Sequence, residues 1–339
     1  MKLFTQILFL LIVHVSFAQR KQVINNQATA FKIVRKQDTI DFIVIDKDLT
    51  KKKPIFLWCQ GSQPVPLYFN FKKNGLWMDA GGMTNFDYQE IKEHYHIVVI
   101  SMPKTPVIAE ESELNNQYSY IGASPDRKMP SIAFQKADYL ENYVDRALIV
   151  LKFLRKQKWA DNSKLIVAGH SQGSKVASYI ANRDKHVSKL GLFGANPYGR
   201  VDELVRNFRK QAERKEISWE EADKQIEKQY QFYKDVNNPR RVSTHPFLLA
   251  WKSFSKPLVG EWLSFNKPIY MAYGTNDVSS DLCDLVPLLF IGNRKQNLTY
   301  KRYLNLEHNF FEVDSTGAVN HSKPHWKEVM SSFVKWTIE

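Results

Sequence analysis

Residues 164–180 read KLIVAGHSQGSKVASYI, an aliphatic run that ends in Gly-His-Ser-Gln-Gly and continues into alternating small and apolar residues. The pentapeptide 169–173 matches the pattern Gly-x-Ser-x-Gly, in which a serine sits on a sharp turn between a strand and a helix. Glycines fit there because a neighbouring Cβ would clash in such a strained turn. A plain structural turn has the same short pattern. The buried strand predicted at Leu165–Ala168 and the helix predicted at Ser174–Arg183 favour a nucleophile at Ser171.

A serine hydroxyl needs a base to take its proton and an acid to orient that base. On a strand-turn-helix scaffold of this kind, the expected chain order is serine, acid, histidine. Asp277 follows the predicted strand Ile269–Tyr273 and is the acid candidate. Asp281 and Asp284 are weaker alternatives, and an aspartate in such a turn also serves as an ordinary turn residue. His308 is the base candidate, because it follows the strand predicted at Tyr300–Leu304.

The remaining histidines fit the role of base less well. His94 and His96 come too early in the chain, whereas His321 and His325 come late, in a polar approach to the final helix. His170 lies inside the pentapeptide itself, where a structural role is expected.

The pattern of strands and helices indicates a mainly parallel sheet. Phe31–Val34 and Thr39–Ile45 are predicted as two strands joined by a turn at residues 35–38, and Ile55–Cys59 and His96–Ser101 as buried strands. A helix with apolar residues every three or four positions is predicted over Asp138–Lys158. Further elements are predicted at Leu190–Phe193 (strand) and His325–Trp336 (helix). Strands rich in aliphatic residues that alternate with helices are typical of a sheet covered on both faces.

Residues 200–260 interrupt this rhythm. Charged helices are predicted over Asp202–Lys215 and Ser218–Asp235, and an aromatic-rich segment follows them. About 60 residues is far longer than an ordinary connection between two strands. We therefore expect an inserted helical cap over the sheet, called here the helical insertion. Its aromatic residues, Trp251, Phe254, Trp262 and Phe265, suggest either an apolar substrate wall or simple packing between the insertion and the core.

These features resemble the α/β-hydrolase superfamily over most of the chain, from about residue 30 to the end. The resemblance rests on Gly169–Gly173, on the loop Gly274-Thr275-Asn276-Asp277 and on the His308 loop, in the order that the family uses. It implies a mostly parallel eight-stranded sheet flanked by helices, with a catalytic Ser171–Asp277–His308 triad. Ser174 departs from the pattern, since many members have a further glycine there, which puts the close packing of that helix in question.

The resemblance also implies an oxyanion hole, that is, two backbone N–H groups aimed at the negative charge that develops on the substrate. The N–H of Gln172, directly after the nucleophile, is the first donor expected. The second is expected from the loop after the early strand, at Ser62. Many members have His-Gly in that loop, whereas this chain has Gln60-Gly61.

The first residues resemble a secretory signal peptide at residues 1–18. Lys2 gives the positive start, Leu3–Phe17 is mostly apolar, and Ser16-Phe17-Ala18 fits the cleavage rule. The mature domain would then be residues 19–339, exported to a periplasm or secreted. An uncleaved membrane anchor is the alternative, and it is disfavoured because the apolar run is short. We expect no stable membrane insertion after cleavage.

The formal net charge of the 339-residue chain is +13. The basic residues are dispersed among acids, and no nucleic-acid motif is present in the sequence, so no nucleic-acid partner is expected. No metal-ligand spacing is found, and the proposed chemistry needs no cofactor.

The sequence predicts an exported serine hydrolase that cleaves a carboxylic ester through an acyl-enzyme. Two alternatives stay open: a serine peptidase, aminopeptidase-like, of the same fold, and a non-catalytic binding protein that keeps the fold. The partner is expected to be a small molecule or peptide that carries an ester or amide.

Overall fold

The computed structural model describes residues 20–35, 38–122 and 129–339. The predicted signal peptide and residues 36–37 of the first predicted turn lie outside the described residues. The strands are β1 (Arg20–Ile24), β2 (Ala28–Val34), β3 (Thr39–Val44), β4 (Lys53–Cys59), β5 (Tyr68–Phe71), β6 (Gly75–Met78), β7 (His96–Ile100), β8 (Ile108–Glu110), β9 (Ala160–His170), β10 (Val187–Phe193), β11 (Ile269–Gly274), β12 (Leu298–Tyr303), β13 (Phe311–Val313) and β14 (Val319–Pro324).

The helices alternate with these strands through most of the chain. They are α1 (Tyr88–His94), α2 (Ile132–Ala137), α3 (Leu140–Leu154), α4 (Gln172–Arg183), α5 (Val201–Glu213), α6 (Trp219–Val236), α7 (Pro239–Thr244), α8 (Leu248–Phe254), α9 (Val259–Ser264), α10 (Val286–Gly292) and α11 (Trp326–Ile338). Short 3-10 turns lie at Met83–Asn85, Glu111–Glu113 and Asp281–Leu285.

Within the described residues, the main sheet has nine strands in the order β1-β2-β3-β7-β4-β9-β10-β11-β12. Strands β7, β4, β9, β10, β11 and β12 run parallel to one another, whereas β1, β2 and β3 pair antiparallel at one edge, where β3 also pairs antiparallel with β7. The predicted mostly parallel sheet flanked by helices is therefore confirmed. Two smaller sheets, β6-β5-β8 and β13-β14, lie outside it.

The sheet has one strand more than the eight expected. Strand β1 pairs antiparallel with β2, from Arg20 opposite Lys32 to Ile24 opposite Ala28. Its sequence, Arg-Lys-Gln-Val-Ile, lacks the aliphatic run of the central strands and begins with charges, which is typical of an edge strand. Such a strand gives little sequence signal of its own.

The central strands are buried on both faces. Neighbouring residues such as Val98 and Val99 are each fully buried but belong to opposite core clusters, because successive side chains of a strand point to opposite faces. One cluster contains apolar residues of α3 and α4, and the other contains residues of α1 and α11. This coverage explains why the strands have continuous aliphatic sequences.

Five helices, α5 to α9, lie between β10 and β11 within the continuous described stretch 129–339. Ser218 begins the second of them, since its hydroxyl accepts a hydrogen bond from the backbone N–H of Glu221 at 3.1 Å. These helices span residues 201–264 and include nearly all of the segment 200–260 that was named the helical insertion. Among the residues that the structure describes, none of the helices is long and apolar enough to cross a bilayer.

Candidate active site

The site residues predicted from sequence follow four parallel strands at the points where the strands end. Ser62 comes after β4, Ser171 directly after β9, Asp277 after β11 and His308 after β12. The carboxyl ends of parallel strands meet at one edge of the sheet, where ligands bind in open α/β sheets. All four residues line one cavity of about 390 Å³ at this edge.

Ser171 has a backbone conformation that few residues with a side chain adopt. Its φ is 56° and its ψ is −125°, between the end of β9 and the first residue of α4. Its N–H donates to the carbonyl oxygen of Phe193 at the end of β10, at 2.9 Å. Strain of this kind costs about 1–3 kcal/mol and persists only where the surroundings hold it in place. The structure thus places Ser171 on a strained turn fixed by the neighbouring strand.

The two glycines of the pentapeptide allow close backbone contacts. A Cβ on Gly169 would lie 2.2 Å from the carbonyl oxygen of Gly173, and one on Gly173 would lie 1.9 Å from that of Cys59. Neither distance is possible without moving backbone, so the first turn of α4 packs directly on β9 and on the end of β4. Ser174 fits this packing, since it is fully buried and its hydroxyl donates to the Ser171 carbonyl oxygen at 2.6 Å.

The structure brings Asp277 and His308 together. The Nδ1 atom of His308 lies 2.8 Å from Oδ2 of Asp277. The loops that carry them are joined by backbone hydrogen bonds, in which the N–H of Asn276 donates to the carbonyl oxygen of Leu306 at 2.9 Å. Gly274 permits this approach, because a Cβ there would lie 2.1 Å from the same carbonyl oxygen.

Asp277 is a buried carboxylate, only 2 % exposed, with donors on both oxygens. The hydroxyl of Ser280 donates to Oδ2 at 2.5 Å, and the N–H of Ser279 donates to Oδ1 at 2.8 Å. Burial by itself raises the pKa of Asp277, but the charge and hydrogen bond of His308 and the donors from Ser280 and Ser279 together lower that pKa below its usual value. The group is therefore ionised at neutral pH.

Asp277 in turn acts on His308. Burial would lower the pKa of His308, yet the charge and hydrogen bond of Asp277 hold that pKa above its usual value. With Nδ1–H donated to the carboxylate, Nε2 is left free to accept a proton in the neutral imidazole. The arrangement can therefore work as a general base that its acid orients.

A second histidine contacts the first. Nε2 of His170 lies 2.8 Å from the backbone carbonyl oxygen of His308, and the two rings lie 4.9 Å apart. Burial and the charge of His308 lower the pKa of His170 to about 4, so the ring is neutral at pH 7 and donates Nε2–H to the carbonyl. The structural role expected for His170 is thus a link between the turn at Ser171 and the loop of His308.

Gln172 and Ser62, the expected oxyanion donors, lie beside Ser171 in the cavity. Gln172 is buried and begins α4, so its backbone N–H belongs to the first turn of that helix, where amides lack intrahelical acceptors. Ser62 is half-buried in the loop after β4. Gln60 donates through Nε2 to the carbonyl oxygen of Ile100 at 2.8 Å.

The alternative acids and histidines are engaged elsewhere. Asp281 pairs with Arg206 and Lys210, and Asp284 accepts the hydroxyl of Tyr273 at 2.7 Å. His325 lies 2.9 Å from Glu312. Similarly, Nε2 of His96 lies 2.8 Å from the carbonyl oxygen of Lys51, and the ring of His321 packs edge-on against Phe311 at 4.8 Å.

The four aromatic residues noted in and just after the helical insertion have three different surroundings. Trp262 and Phe265 are buried packing residues, and the indole N–H of Trp262 donates to Ser178 at 2.8 Å. Phe254 is fully buried but lines the cavity. Trp251 does not line the cavity and instead supports Arg200, whose guanidinium lies 4.2 Å from the ring centre.

Several polar residues of the cavity were not singled out from the sequence, and three of them, Lys175, Arg200 and Glu203, carry a charge at one side of its wall. Asn196, Ser279 and Glu307 are others. Lys175 is only 5 % exposed although it occupies a helix position where lysine is normally solvated. Its position in the sequence could have pointed to the cavity, because Lys175 lies one helical turn after Ser171 and so on the same face of α4. No group of three or more potential metal ligands occurs among the described residues.

No protein-family model matches the sequence, and no functionally curated protein matches it either. Solved structures do match. An acylaminoacyl peptidase from Pyrococcus horikoshii aligns with 94 % of this chain at 12 % identity and a TM-score of 0.53. A protein assigned as a dipeptidyl aminopeptidase IV from Bacteroides ovatus aligns with 91 % at 10 % identity and a TM-score of 0.55.

The chain spans 41 % of that Pyrococcus chain and 36 % of that Bacteroides chain. A serine hydrolase from Cycloclasticus zankles is similar in length, with 91 % of this chain and 96 % of that one aligned, at 13 % identity and a TM-score of 0.47. Sequence identities this low show a shared fold and nothing more.

Proposed function

Because the chain has the α/β-hydrolase fold, we propose that it is a serine hydrolase that cleaves carboxylic esters, with Ser171 as nucleophile, His308 as base and Asp277 as orienting acid. The observation that carries the proposal is the 2.8 Å contact between His308 Nδ1 and Asp277 Oδ2, at the wall of the cavity that Ser171 also lines. A buried carboxylate joined to a histidine in this way holds the tautomer that a base requires.

The reaction follows the logic of such a triad. His308 Nε2 takes the proton of the Ser171 hydroxyl while Oγ attacks the ester carbonyl carbon. The negative charge that forms on the carbonyl oxygen is stabilised by backbone N–H groups, for which Gln172 and Ser62 are the candidates. The C–O bond to the alcohol then breaks, and the alcohol leaves with the proton from His308. Water, deprotonated by His308, attacks the acyl-enzyme and releases the acid and Ser171.

The helical insertion is proposed to act as a cap on this site. Support comes from the residues that it contributes to the cavity wall, Glu203 at its start and Phe254 at the end of α8.

A serine peptidase is the second candidate. Two solved structures that share the fold, those from Pyrococcus horikoshii and Bacteroides ovatus, are described as peptidases. The same triad attacks esters and amides, so the fold does not choose between them. A non-catalytic binding protein is the third candidate, and the strained backbone of Ser171 counts against it, because strain of this kind is retained mainly where function uses it.

Fluorophosphonate labelling tests the enzyme proposal. We expect the native protein to be labelled at Ser171, the heat-unfolded protein to remain unlabelled, and Ser171→Ala to lose both labelling and turnover by a factor of about 10⁶. Ser243→Ala is the matched control, because this serine is exposed and does not line the cavity. An unlabelled native protein would support the binding-protein reading, and full turnover by Ser171→Ala would exclude this triad.

A panel of p-nitrophenyl esters and aminoacyl p-nitroanilides separates the two enzyme candidates. The ester proposal requires a higher kcat/KM on the esters after correction for their greater intrinsic reactivity in water. Efficient cleavage of the anilides, blocked by Ser171→Ala, would replace it with the peptidase alternative.

Export is proposed on the sequence of residues 1–18 alone. Expression of the full chain in a bacterial host, followed by fractionation and N-terminal sequencing, tests it. The expected product is an exported protein that begins at Gln19. A product that keeps Lys2 and stays with the membrane fraction would favour the anchor alternative.

A further inference from the structure

Two basic side chains lie in the same cavity as Ser171. Lys175 is on α4, one helical turn after Ser171, and Arg200 directly precedes α5. The Nζ atom of Lys175 donates to the backbone carbonyl oxygen of Gly199 at 3.0 Å, which brings the ammonium beside the backbone that carries Arg200. Arg200 and Lys175 therefore approach the cavity from adjacent positions of its wall.

Neither cation takes part in an ion pair with any residue that the structure describes. The guanidinium of Arg200 lies flat over Trp251, at 4.2 Å from the ring centre, and Nη1 makes one long contact, 3.4 Å, with Oε1 of Gln172. Two nearby basic residues do form ion pairs, since Arg206 and Lys210 both pair with Asp281. Lys175 and Arg200 line the cavity, and most of their N–H donors are thus left for an acceptor bound there.

Burial shifts the pKa values of both Lys175 and Arg200. It lowers the pKa of Lys175 to about 8, although the charge of Asp202 acts in the opposite direction, so the ammonium is still mostly charged at pH 7. Burial also lowers the pKa of Arg200, which the charges of Asp138 and Glu203 oppose. An acceptor with a negative charge would offset the lost hydration of both cations.

Three acids act on these cations, and one of them, Asp202, pairs with Arg206 at 2.8 Å. The other two differ in how they are engaged. Asp138 accepts the hydroxyl of Tyr143 at 2.8 Å and a hydrogen bond from the side chain of Gln172, and burial raises its pKa to about 6. Glu203 lines the cavity and makes no hydrogen bond or ion pair with the described part of the chain, yet its charge acts on Lys175 and Arg200. Asp277 and Glu307 line the cavity too, but Asp277 contacts His308 and Glu307 accepts backbone N–H groups of its own loop. Among the described residues of the cavity wall, Glu203 is therefore the carboxylate that competes with a substrate for Lys175 and Arg200.

This inference rests on the proposed function. We infer that Lys175 and Arg200 form a subsite for a carboxylate of the substrate, close to the ester that Ser171 attacks. The planar guanidinium, already held over Trp251, offers paired N–H groups that match a carboxylate, and Lys175 adds a point charge beside it. The formal net charge of +13 attracts anionic molecules in general and so acts in the same direction.

The distance between Lys175 and Ser171 determines which ester substrates can test the subsite. One turn of α4 separates Lys175 from Ser171 by about 6 Å along the helix axis, so the carboxylate must be several bonds from the scissile carbonyl. Umbelliferyl esters of adipic acid, of adipic acid monomethylamide and of 6-aminohexanoic acid have nearly the same length and carry a negative, neutral or positive end. Acetyl esters of 3-hydroxybenzoic acid, 3-hydroxybenzamide and 3-hydroxybenzylamine place the same three charges on the leaving group.

The readout is the ratio of kcat/KM for the anionic ester to that for the neutral ester. In at least one series we expect the wild type to prefer the anion by about tenfold or more, as for hydrogen bonds to charged groups. Arg200→Gln and Lys175→Met should each bring that ratio towards one. Arg200→Glu should shift the preference towards the ammonium ester. The ratio compares two substrates on one preparation, so a partly unfolded variant still gives an interpretable result.

Two further variants sharpen the test. Arg214→Gln is the matched control, because this arginine is exposed near the far end of α5 and should leave the ratio unchanged. Glu203→Gln removes the acid that competes for the cations, so it should raise the anionic preference. If the wild type instead prefers the ammonium esters and Glu203→Gln abolishes that preference, the cavity binds cations and the inference is wrong.

The experimental results distinguish a failure of the carboxylate subsite from a failure of the proposed function. If Ser171 is labelled by fluorophosphonate and neutral esters are cleaved, but the ratio stays near one in both series, only the carboxylate subsite is excluded. A ratio that Arg200→Gln and Lys175→Met both leave unchanged excludes it as well. If Ser171 is unlabelled and no ester is cleaved, the proposed function falls and the subsite falls with it.

Discussion

Nε2 of His170 lies 2.8 Å from the backbone carbonyl oxygen of His308, across 138 positions of sequence. The residue beside the nucleophile thus holds the loop of the proposed base. Gly194 leaves room for both rings, since a Cβ there would lie 3.2 Å from each, at a backbone φ of +54°. His170 is therefore a positioning residue, which acts on the reaction through His308.

This contact predicts how substitutions of His170 affect turnover. His170→Phe removes the donor, whose net contribution is about 0.5–1.5 kcal/mol, so kcat should fall up to about tenfold with little change in KM. His170→Gln keeps an N–H at a similar distance from the backbone and should recover much of the loss. Steady-state kinetics on one p-nitrophenyl ester, at equal fluorophosphonate labelling, measures both. Equal kcat for the Phe and Gln variants would assign His170 to packing only.

The pair of Asp277 and His308 predicts the pH dependence of turnover. The base form of His308 is needed, and Asp277 holds the pKa of His308 above its usual value of 6.5, so kcat/KM should rise with pH through a pKa above 6.5. Asp277→Asn removes the charge that raises this pKa. We expect that variant to lose about 10⁴ in kcat and to show its remaining pH transition at a lower pH. An unchanged transition in Asp277→Asn would mean that another group titrates.

The candidate site shows most clearly which features could be predicted from the sequence and which could not. Ser171 could be predicted because its glycines and flanking elements are local in sequence. Asp277 and His308 could be predicted from the family order of residues that follow strands, and the structure brings those two together. The partners of these residues were not predicted, because contacts such as that of His170 with His308 join distant parts of the chain and leave no periodic pattern.

The burial of Lys175 could not be predicted from the sequence for a different reason. In the sequence GSKVASYI it looks like an ordinary lysine of a surface helix, and it is buried because the segment at Gly199 and Arg200 covers it. The same holds for the short strands β5, β6 and β8, whose pairing depends on neighbours and not on their own alternation. Burial that a distant segment imposes is a property of the fold and not of the local sequence.

The hydrogen bond from Ser280 to Asp277 predicts how a substitution of Ser280 changes the stability of the fold. Its hydroxyl donates to the buried Oδ2 of Asp277 at 2.5 Å, and the side chain is fully buried. Removing a donor from a buried carboxylate costs about 1.5–3 kcal/mol, so Ser280→Ala should lower the free energy of unfolding by that amount at pH 7. Ser279→Ala should cost less, because Ser279 donates through its backbone N–H, which alanine keeps.

The pH dependence of that stability gives a second check on Ser280. The folded pKa of Asp277 is below 3.8, so its contribution is present above the unfolded value of 3.8 and is lost as the pH falls through the folded pKa. Ser280→Ala removes one cause of the lowering. The difference in urea unfolding free energy between wild type and variant should therefore shrink below about pH 4. A difference that stays constant from pH 7 to pH 3 would assign the loss to packing.

Two glycines in helices predict opposite effects of the same substitution. A Cβ on Gly173 would lie 1.9 Å from the carbonyl oxygen of Cys59, whereas one on Gly260 in α9 would have no atom within 4 Å. Gly173→Ala should force α4 away from the end of β4, destabilise the fold by about 3 kcal/mol or more and abolish labelling of Ser171. Gly260→Ala should instead stabilise it by about 0.4–1 kcal/mol, because alanine restricts the unfolded chain and fits a helix. Thermal unfolding and fluorophosphonate labelling of the two variants measure both effects. A stable, fully labelled Gly173→Ala protein would mean that the first turn of α4 is not held against the end of β4, and the close packing that positions Ser171 would be wrong.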